Sequence, residues 1–289
     1  MLCYSTGSLP LATDASSLIQ LLEKTPFRCI EWALNSRQLD NYSSGGLQNQ
    51  LLKPACISWF RNQAKILHKE GYKVVNIHCG FPKLFGLQPH EPSLSALNGN
   101  ERQHKINLIN GLLPLTDILE CNHVTFISGL QSPLVPLNVQ EEYLEESLTL
   151  LASLKPNHIT YCLEQEPEHT LHSCGQLLRY CKKFSLKAVF DLGHAWVLGE
   201  ELEMSLQSLC PYIYNIHIED IANRIHKHLL MGQGDIPFYD FARIIKQFNY
   251  QGFFTPDLYP FAENPTEALA TSIEFFKKYS LHNSNGLPE

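Results

Sequence analysis

Apolar residues along this chain follow two alternating rhythms. Short apolar runs bounded by polar residues read as strands buried on both faces. Between them lie longer segments whose apolar positions recur as they do on one face of a helix. The first run covers residues 2–5, and the helix after it is entered at Asp14 and carries Leu18, Ile19, Leu21 and Leu22 on one face. Residues 28–32 form a second strand with Glu31 near its end. A polar segment, 35–50, then leads to a helix opening at Pro54, where a first-turn proline fits. Residues 72–78 (YKVVNIH) are the third strand, and an irregular stretch, 79–100, precedes a helix that Pro114 should kink. Further strands are expected at 124–128, 159–164, 188–190, 213–216 and 253–257. Their helices are expected at 139–154, 170–184, a short segment between the sixth and seventh strands, 238–248 and 265–279, with a frayed tail beyond.

Eight strand–helix units in unbroken alternation are what a single closed (β/α)8 TIM barrel requires, here over residues 1–280 with 281–289 as the tail. Connections from helix to strand are short, and those after the second and third strands are long. In a barrel the long insertions belong on the βα side, where the active-site mouth is built. A doubly wound open sheet is the competing α/β architecture. It calls for a glycine-rich phosphate loop after the first strand, and TGSLP is a poor match.

Composition narrows the partners. The chain has 289 residues, 44% of them hydrophobic, enough for one large barrel core, and no linker or low-complexity run divides it. A formal charge of -7 disfavours a nucleic-acid groove and favours a small-molecule substrate. Nine cysteines, odd in number and without a CxxC pair, read as reduced thiols of a cytoplasmic protein. The amino terminus lacks a basic-then-apolar leader, and no apolar run is long enough to span a bilayer. Nothing in the composition sets the oligomeric state.

Chemistry concentrates between residues 187 and 238, where Asp191, His194, His217, Glu219, Asp220, His226 and His228 gather. Taken in order, the strand ends offer Glu31, His78, Glu164, Asp191, His217 and Asp257. In the fifth strand Thr160, Cys162 and Glu164 share one parity, so Glu164 faces either the barrel mouth or the apolar helix layer; desolvation favours the mouth. Asp191 after AVF, His217 after YNI and Asp257 after FFTP follow the same logic. Imidazoles and carboxylates converging on one mouth suit a borderline divalent metal such as zinc, manganese or iron. The competing reading is scattered surface histidines and helix-capping acids. Cys162 reads as small apolar filler.

The pieces LE at 163–164, DLGH at 191–194, IHIED at 216–220, GQGDIPF at 232–238 and YQGFFTPDLY at 250–259 resemble, in order and spacing, the xylose-isomerase-like TIM barrels. That superfamily holds sugar isomerases and epimerases together with type-IV apurinic endonucleases. The resemblance implies a divalent metal held by Glu164, Asp191, His217 and Asp257, with Glu164 and Asp257 also moving protons at the substrate carbon. The chain departs from the pattern at Asp257, where the family usually has the longer glutamate. It departs again at His226-Lys227-His228: the endonuclease-like members have Asp-x-His there, which joins the counterpart of His194 around another metal. His78 matches a further family ligand whose usual partner after the fourth strand is replaced by FISG. The resemblance thus implies more than one ion, with HKH as an exposed basic turn the alternative. Glu166, in an LEQEPE segment, is a ligand, a substrate contact or a surface acid. Arg224 is a phosphate or carboxylate binder or a surface ion-pair partner, and Trp196 an apolar wall for a sugar or a packing residue.

Two catalytic expectations follow from the resemblance. The first is a metal-dependent isomerase or epimerase of a small sugar, polyol or sugar phosphate. The second is a multinuclear metallohydrolase or oxidase of a phosphoester or secondary metabolite. A non-catalytic metabolite-binding barrel is the third reading, kept open by the shortened Asp257.

Overall fold

Every expected strand forms, and each pairs in parallel with its sequence neighbour. The computed structural model describes residues 1–11, 13–35, 52–79 and 92–281. Its strands are β1 (Cys3–Ser5), β2 (Cys29–Ala33), β3 (Lys73–His78), β4 (His123–Phe126), β5 (Thr160–Glu164), β6 (Lys187–Asp191), β7 (Ile213–Ile218) and β8 (Phe253–Pro256). They stand in the sheet in sequence order. A parallel Leu2–Phe254 bridge, with Phe254 N–H donating to Met1 O at 2.9 Å, returns β8 to β1 and makes the sheet a barrel. Ten α-helices stand among the described residues: α1 (Ala15–Leu22), α2 (Pro54–Lys69), α3 (Gly99–Leu112), α4 (Pro114–Ile118), α5 (Leu137–Leu154), α6 (Cys174–Phe184), α7 (Leu192–Val197), α8 (Leu202–Leu209), α9 (Phe238–Gln247) and α10 (Pro265–Tyr279). The expectations for residues 36–50, 80–91 and 282–289 lie outside the described residues.

Helix ends obey the local chemistry. Asp14 caps α1 by accepting Ser17 N–H at 2.9 Å, and Pro54 occupies the first turn of α2. Pro114 does more than kink its helix. It lacks an N–H, so it ends α3 and starts α4 afresh from a first-turn position. α6 begins at Cys174 rather than 170, because Ser173 and Gln176 form a capping box there. The four preceding residues are drawn into the loop instead, with Thr170 N–H donating to Gly129 O. The short helical segment between β6 and β7 is two helices, α7 and α8, separated at Gly199, whose φ of +73° ends α7.

Strand register sets the height of the mouth residues. Asp191 lies opposite His217, and His217 opposite Thr255, so β6, β7 and β8 carry their polar ends at one level. At this level and just below it, the interior is polar where a barrel is ordinarily apolar: Glu31, Asn76, Thr125, Asn215 and Thr255 are all buried. The apolar core sits between barrel and helices, with Phe27, Phe60, Phe126, Phe190 and Phe241 fully buried. Burying this layer on both sides is what makes the strand runs continuous in hydrophobicity.

Candidate metal centre and active site

At the carboxyl ends of β5 to β8, Glu164, Asp191, His217 and Asp257 converge, all buried. Ligand-capable atoms of Asp191, His217 and Asp257 lie within 4.8 Å of one another, as do those of Glu164, Asp191 and His194, and of His78, Glu164 and His217. His217 Nδ1 stands 2.9 Å from Glu164 Oε1 without hydrogen-bond geometry, and 3.9 Å from Asp191 Oδ2. Asp191 Oδ2 and Asp257 Oδ1 are buried with no hydrogen-bond partner among the described residues. Desolvated oxygens without donors, ringed by an imidazole nitrogen, fit a divalent cation. The residues therefore fit the metal that their pattern implies.

A second group lies beside the first. His194, His226 and His228 bring nitrogens within 4.8 Å of one another. His194 Nδ1–H donates to Gln165 O and His228 Nδ1–H to Asp257 O, both at 2.8 Å. A backbone carbonyl can only accept, so each ring keeps its Nε2 lone pair for the interior. His228 Nε2 and His226 Nε2 face each other at 3.3 Å. His228 is buried and His226 exposed, which puts this trio at the outer edge of the mouth.

The loop that carries His226 and His228 is tied to one carboxylate. Asp220 accepts N–H bonds from Ile221 and Ile236 on one oxygen, and from Gly232 and Gly234 on the other. Gly232 has a φ of +96°, and a Cβ on Gly234 would stand 2.4 Å from both Asp220 Oδ1 and Ile221 O. The GQGD sequence is thus the turn that wraps Asp220. Gly193 meets the same requirement in DLGH: its Cβ would lie 1.7 Å from Glu219 Oε1.

Electrostatics divide the carboxylates. Burial alone would raise Glu164, but His217 and His78, whose Nε2 lies 2.7 Å from Glu164 Oε2, hold it well below the usual range. Burial likewise opposes ionisation of Glu31, yet His217, His78 and the Asn76 amide draw it down to about 2. Asp257 is raised, by burial first and then by Asp191 and Glu164, against the pull of His228 and His217. Glu166 and Glu219 are raised well above the usual range by burial and by neighbouring carboxylates. His217 is raised well above its ordinary value: Glu31 and Glu164 outweigh the burial that would lower it.

Glu166 faces this carboxylate group and lies 3.4 Å from His169 Nδ1. Trp196 and Arg224 stand elsewhere on the rim. Arg224 lies over the Trp196 ring at 4.5 Å and donates to Trp196 O, while the indole N–H donates to Asp235. Both line a flank cleft of about 470 Å³ with residues of α8 and α9, and none of the expected metal ligands lines it. Cys162 is buried below the mouth, its thiol pushed up by burial. Two residues of the site had no role in the sequence reading, Glu31 and Glu219. Both stood in the sequence among the strand-end and clustered acids without an assigned role; Glu219 follows β7 and shares the parity of His217, and Glu31 lies in the middle of β2 rather than at its end.

The profile of a family described as xylose isomerase-like TIM barrel matches residues 19–279. No curated protein matches the chain in sequence. Among solved structures, the zinc-bound IolI protein is similar at a TM-score of 0.77 and 15% identity, with 98% of this chain and 99% of that one covered. D-psicose 3-epimerase with D-tagatose from Clostridium cellulolyticum H10 has a TM-score of 0.74 and 15% identity over 98% of this chain and 100% of that one. The apo 3-keto-D-glucoside 4-epimerase YcjR of E. coli has a TM-score of 0.72 and 14% identity over 96% and 98%. At such identities the likeness is one of fold.

Proposed function

Because the chain belongs to the xylose isomerase-like TIM barrel family, we propose that it is a divalent-metal-dependent isomerase or epimerase of a small sugar, polyol or sugar phosphate. The observation that carries this reading is the geometry: Glu164, Asp191, His217 and Asp257 converge, buried, at the mouth, with Glu164 lowered and Asp257 raised by their surroundings. Paired groups with environments that drive their pKa values apart are suited to taking a proton on one side and giving one on the other. Glu164, Asp191, His217 and Asp257 would hold the ion, whose chemistry there would be to polarise a substrate carbonyl and hydroxyl and so acidify the C–H between them. Glu164 would then remove that proton, kept ionised by the His78 ring, whose Nε2 lies 2.7 Å from its Oε2, and by the field of nearby His217. Asp257 returns a proton to the opposite face; its hold on the site is set by the β8 end, where its N–H donates to Ile218 O at 3.0 Å. Glu166, in the same carboxylate group, is placed to contact substrate hydroxyls. IolI, with its bound zinc, and the two epimerases support the same reading by fold.

The test is isotope exchange. Incubated with candidate keto-sugars and Mn²⁺ in deuterated water, the protein should place deuterium on the substrate carbon, and Glu164→Gln should slow this by about 10²- to 10⁴-fold. Exchange unchanged by that replacement removes Glu164 from the role. Phosphoesterase turnover without exchange on any sugar favours the second reading, a multinuclear hydrolase or oxidase. The observation behind that alternative is the nitrogen-only trio His194, His226 and His228, which suits a second transition-metal ion over magnesium.

A further inference from the structure

Beneath the ligand cluster, the polar floor of the barrel has one self-consistent hydrogen-bond assignment. Thr125 Oγ1 donates to Asn76 Oδ1 at 3.0 Å, and Thr255 Oγ1 donates to Asn215 Oδ1 at 2.9 Å. With both amide oxygens engaged, both amide nitrogens turn inward and donate to a single atom, Glu31 Oε2, at 2.7 and 3.1 Å. Side chains of β3, β4, β7 and β8 thus converge on one carboxylate of β2. Glu31 is fully buried, and an ionised carboxylate only accepts. The remaining group on the same oxygen is His217 Nε2, at 3.1 Å, so Nε2 carries a proton. Nδ1 is then the atom presented to Glu164 and Asp191.

We infer that Glu31 is a positioning residue of the metal centre: it fixes the tautomer and tilt of His217, so that Nδ1 is the ligating atom, and sets a fixed negative charge beneath the ion. The inference rests on the reading of Glu164, Asp191, His217 and Asp257 as a metal site. It adds a residue from the opposite side of the barrel that touches neither ion nor substrate. Partners of this kind raise the basicity of a histidine ligand and hold its ring at the approach angle the metal needs. A bond that merely filled the core would be served as well by an amide. Glu31 Oε1 has no hydrogen-bond partner among the described residues, so Glu31→Gln can keep its carbonyl on the Asn76, Asn215 and His217 donors and lose the charge, while its amide nitrogen takes the Oε1 position without an acceptor there.

The experiment uses the full chain, stripped of metal and titrated calorimetrically with Co²⁺ and Zn²⁺. Zn²⁺-loaded wild type is also examined by long-range ¹H–¹⁵N NMR of its histidines. Glu31→Gln should bind about 10- to 100-fold more weakly, and in wild type His217 should show a protonated Nε2 and a metal-bound Nδ1. Affinity for both ions within twofold of wild type overturns the inference. So does wild-type His217 bound through Nε2, a result that stands even if Glu31→Gln fails to fold. Wild type that binds neither ion overturns the metal reading itself, which separates the two failures.

Discussion

Asp257 is one methylene short of the glutamate its position leads one to expect, and the fold shows how the site accommodates it. Its carboxylate lies 3.5 Å from His228 Nδ1, and its backbone carbonyl accepts that same N–H, so the residue touches both side-chain clusters of the mouth. Glycine imposes a comparable constraint at 193. Its Cβ would run into Glu219, itself fully buried beside Asp191. Gly193→Ala is therefore expected to destabilise the protein by about 1–3 kcal/mol through overpacking. It should also weaken metal binding, because Asp191 caps α7 at His194 N–H (2.7 Å) and would be displaced with the turn. Thermal unfolding and metal titration of this variant, against Gly175→Ala, a glycine in α6 with room for a Cβ, would check both effects. Loss of stability with unaltered metal affinity would show that Asp191 does not depend on the turn. The mouth residues at strand ends were legible one by one from parity and desolvation. The roles of Glu31 and Glu219 were not: Asn215 and His217 reach Glu31 from 184 and 186 residues away, and Glu219 gains its surroundings only when β6 and β8 flank β7.

At the scale of elements, the loop from β7 to α9 carries the most information. Its backbone turns through two left-handed residues, Asn223 and Arg224, and is held by Asp220, by Asp235 accepting Asn223 N–H, and by the Asp220–Leu229 bridge. His226 and His228 gain their positions from these ties rather than from a regular element. If the trio with His194 holds a second transition-metal ion, loaded wild type should contain at least two ions per chain. His226→Ala with His228→Ala should lower that count by one and leave the first ion in place. Asp220→Ala, which deserts four N–H donors, should cost on the order of 3 kcal/mol and lower the second occupancy before the first. Elemental analysis of dialysed protein reads all three. A single ion in wild type, unmoved by the double replacement, would make HKH a solvated turn. Strand order, barrel closure and the proline-led starts of α2 and α10 were readable from apolar rhythm and capping chemistry. The start of α6 and the split around Gly199 were not, since each depends on which of two local hydrogen-bond schemes the tertiary contacts favour.

Across the whole molecule, the mouth gathers buried ionisable groups whose pKa values folding shifts in both directions. Glu166, Glu219 and Asp257 have folded-state pKa values above their ordinary ones, and so does His217. A group raised by folding contributes stability that is complete below its unfolded pKa and is lost as pH rises through its folded value. All four therefore favour the fold on the acid side of neutrality and cease to do so in alkali. Glu31 and Glu164 are lowered, so their contribution is present above the usual carboxylate range and lost as pH falls, for Glu31 toward about 2. The two sets bracket a metal-free protein of greatest stability in mild acid. It should lose melting temperature as pH rises out of the ordinary carboxylate range, and lose more as pH passes the ordinary histidine value. A divalent ion bound there would take the place of the protons those groups otherwise need and would compete with them, so its affinity should rise over the same interval. At a free concentration of a hundred times its Kd it adds about 2.7 kcal/mol, and it should flatten or invert the alkaline decline. Calorimetric scans of stripped and Zn²⁺- or Mn²⁺-loaded protein across that range would measure both slopes. A stripped protein that grows more stable toward alkaline pH, or a slope that added metal leaves unchanged, would mean that the buried carboxyls and His217 are not balanced against a cation at all.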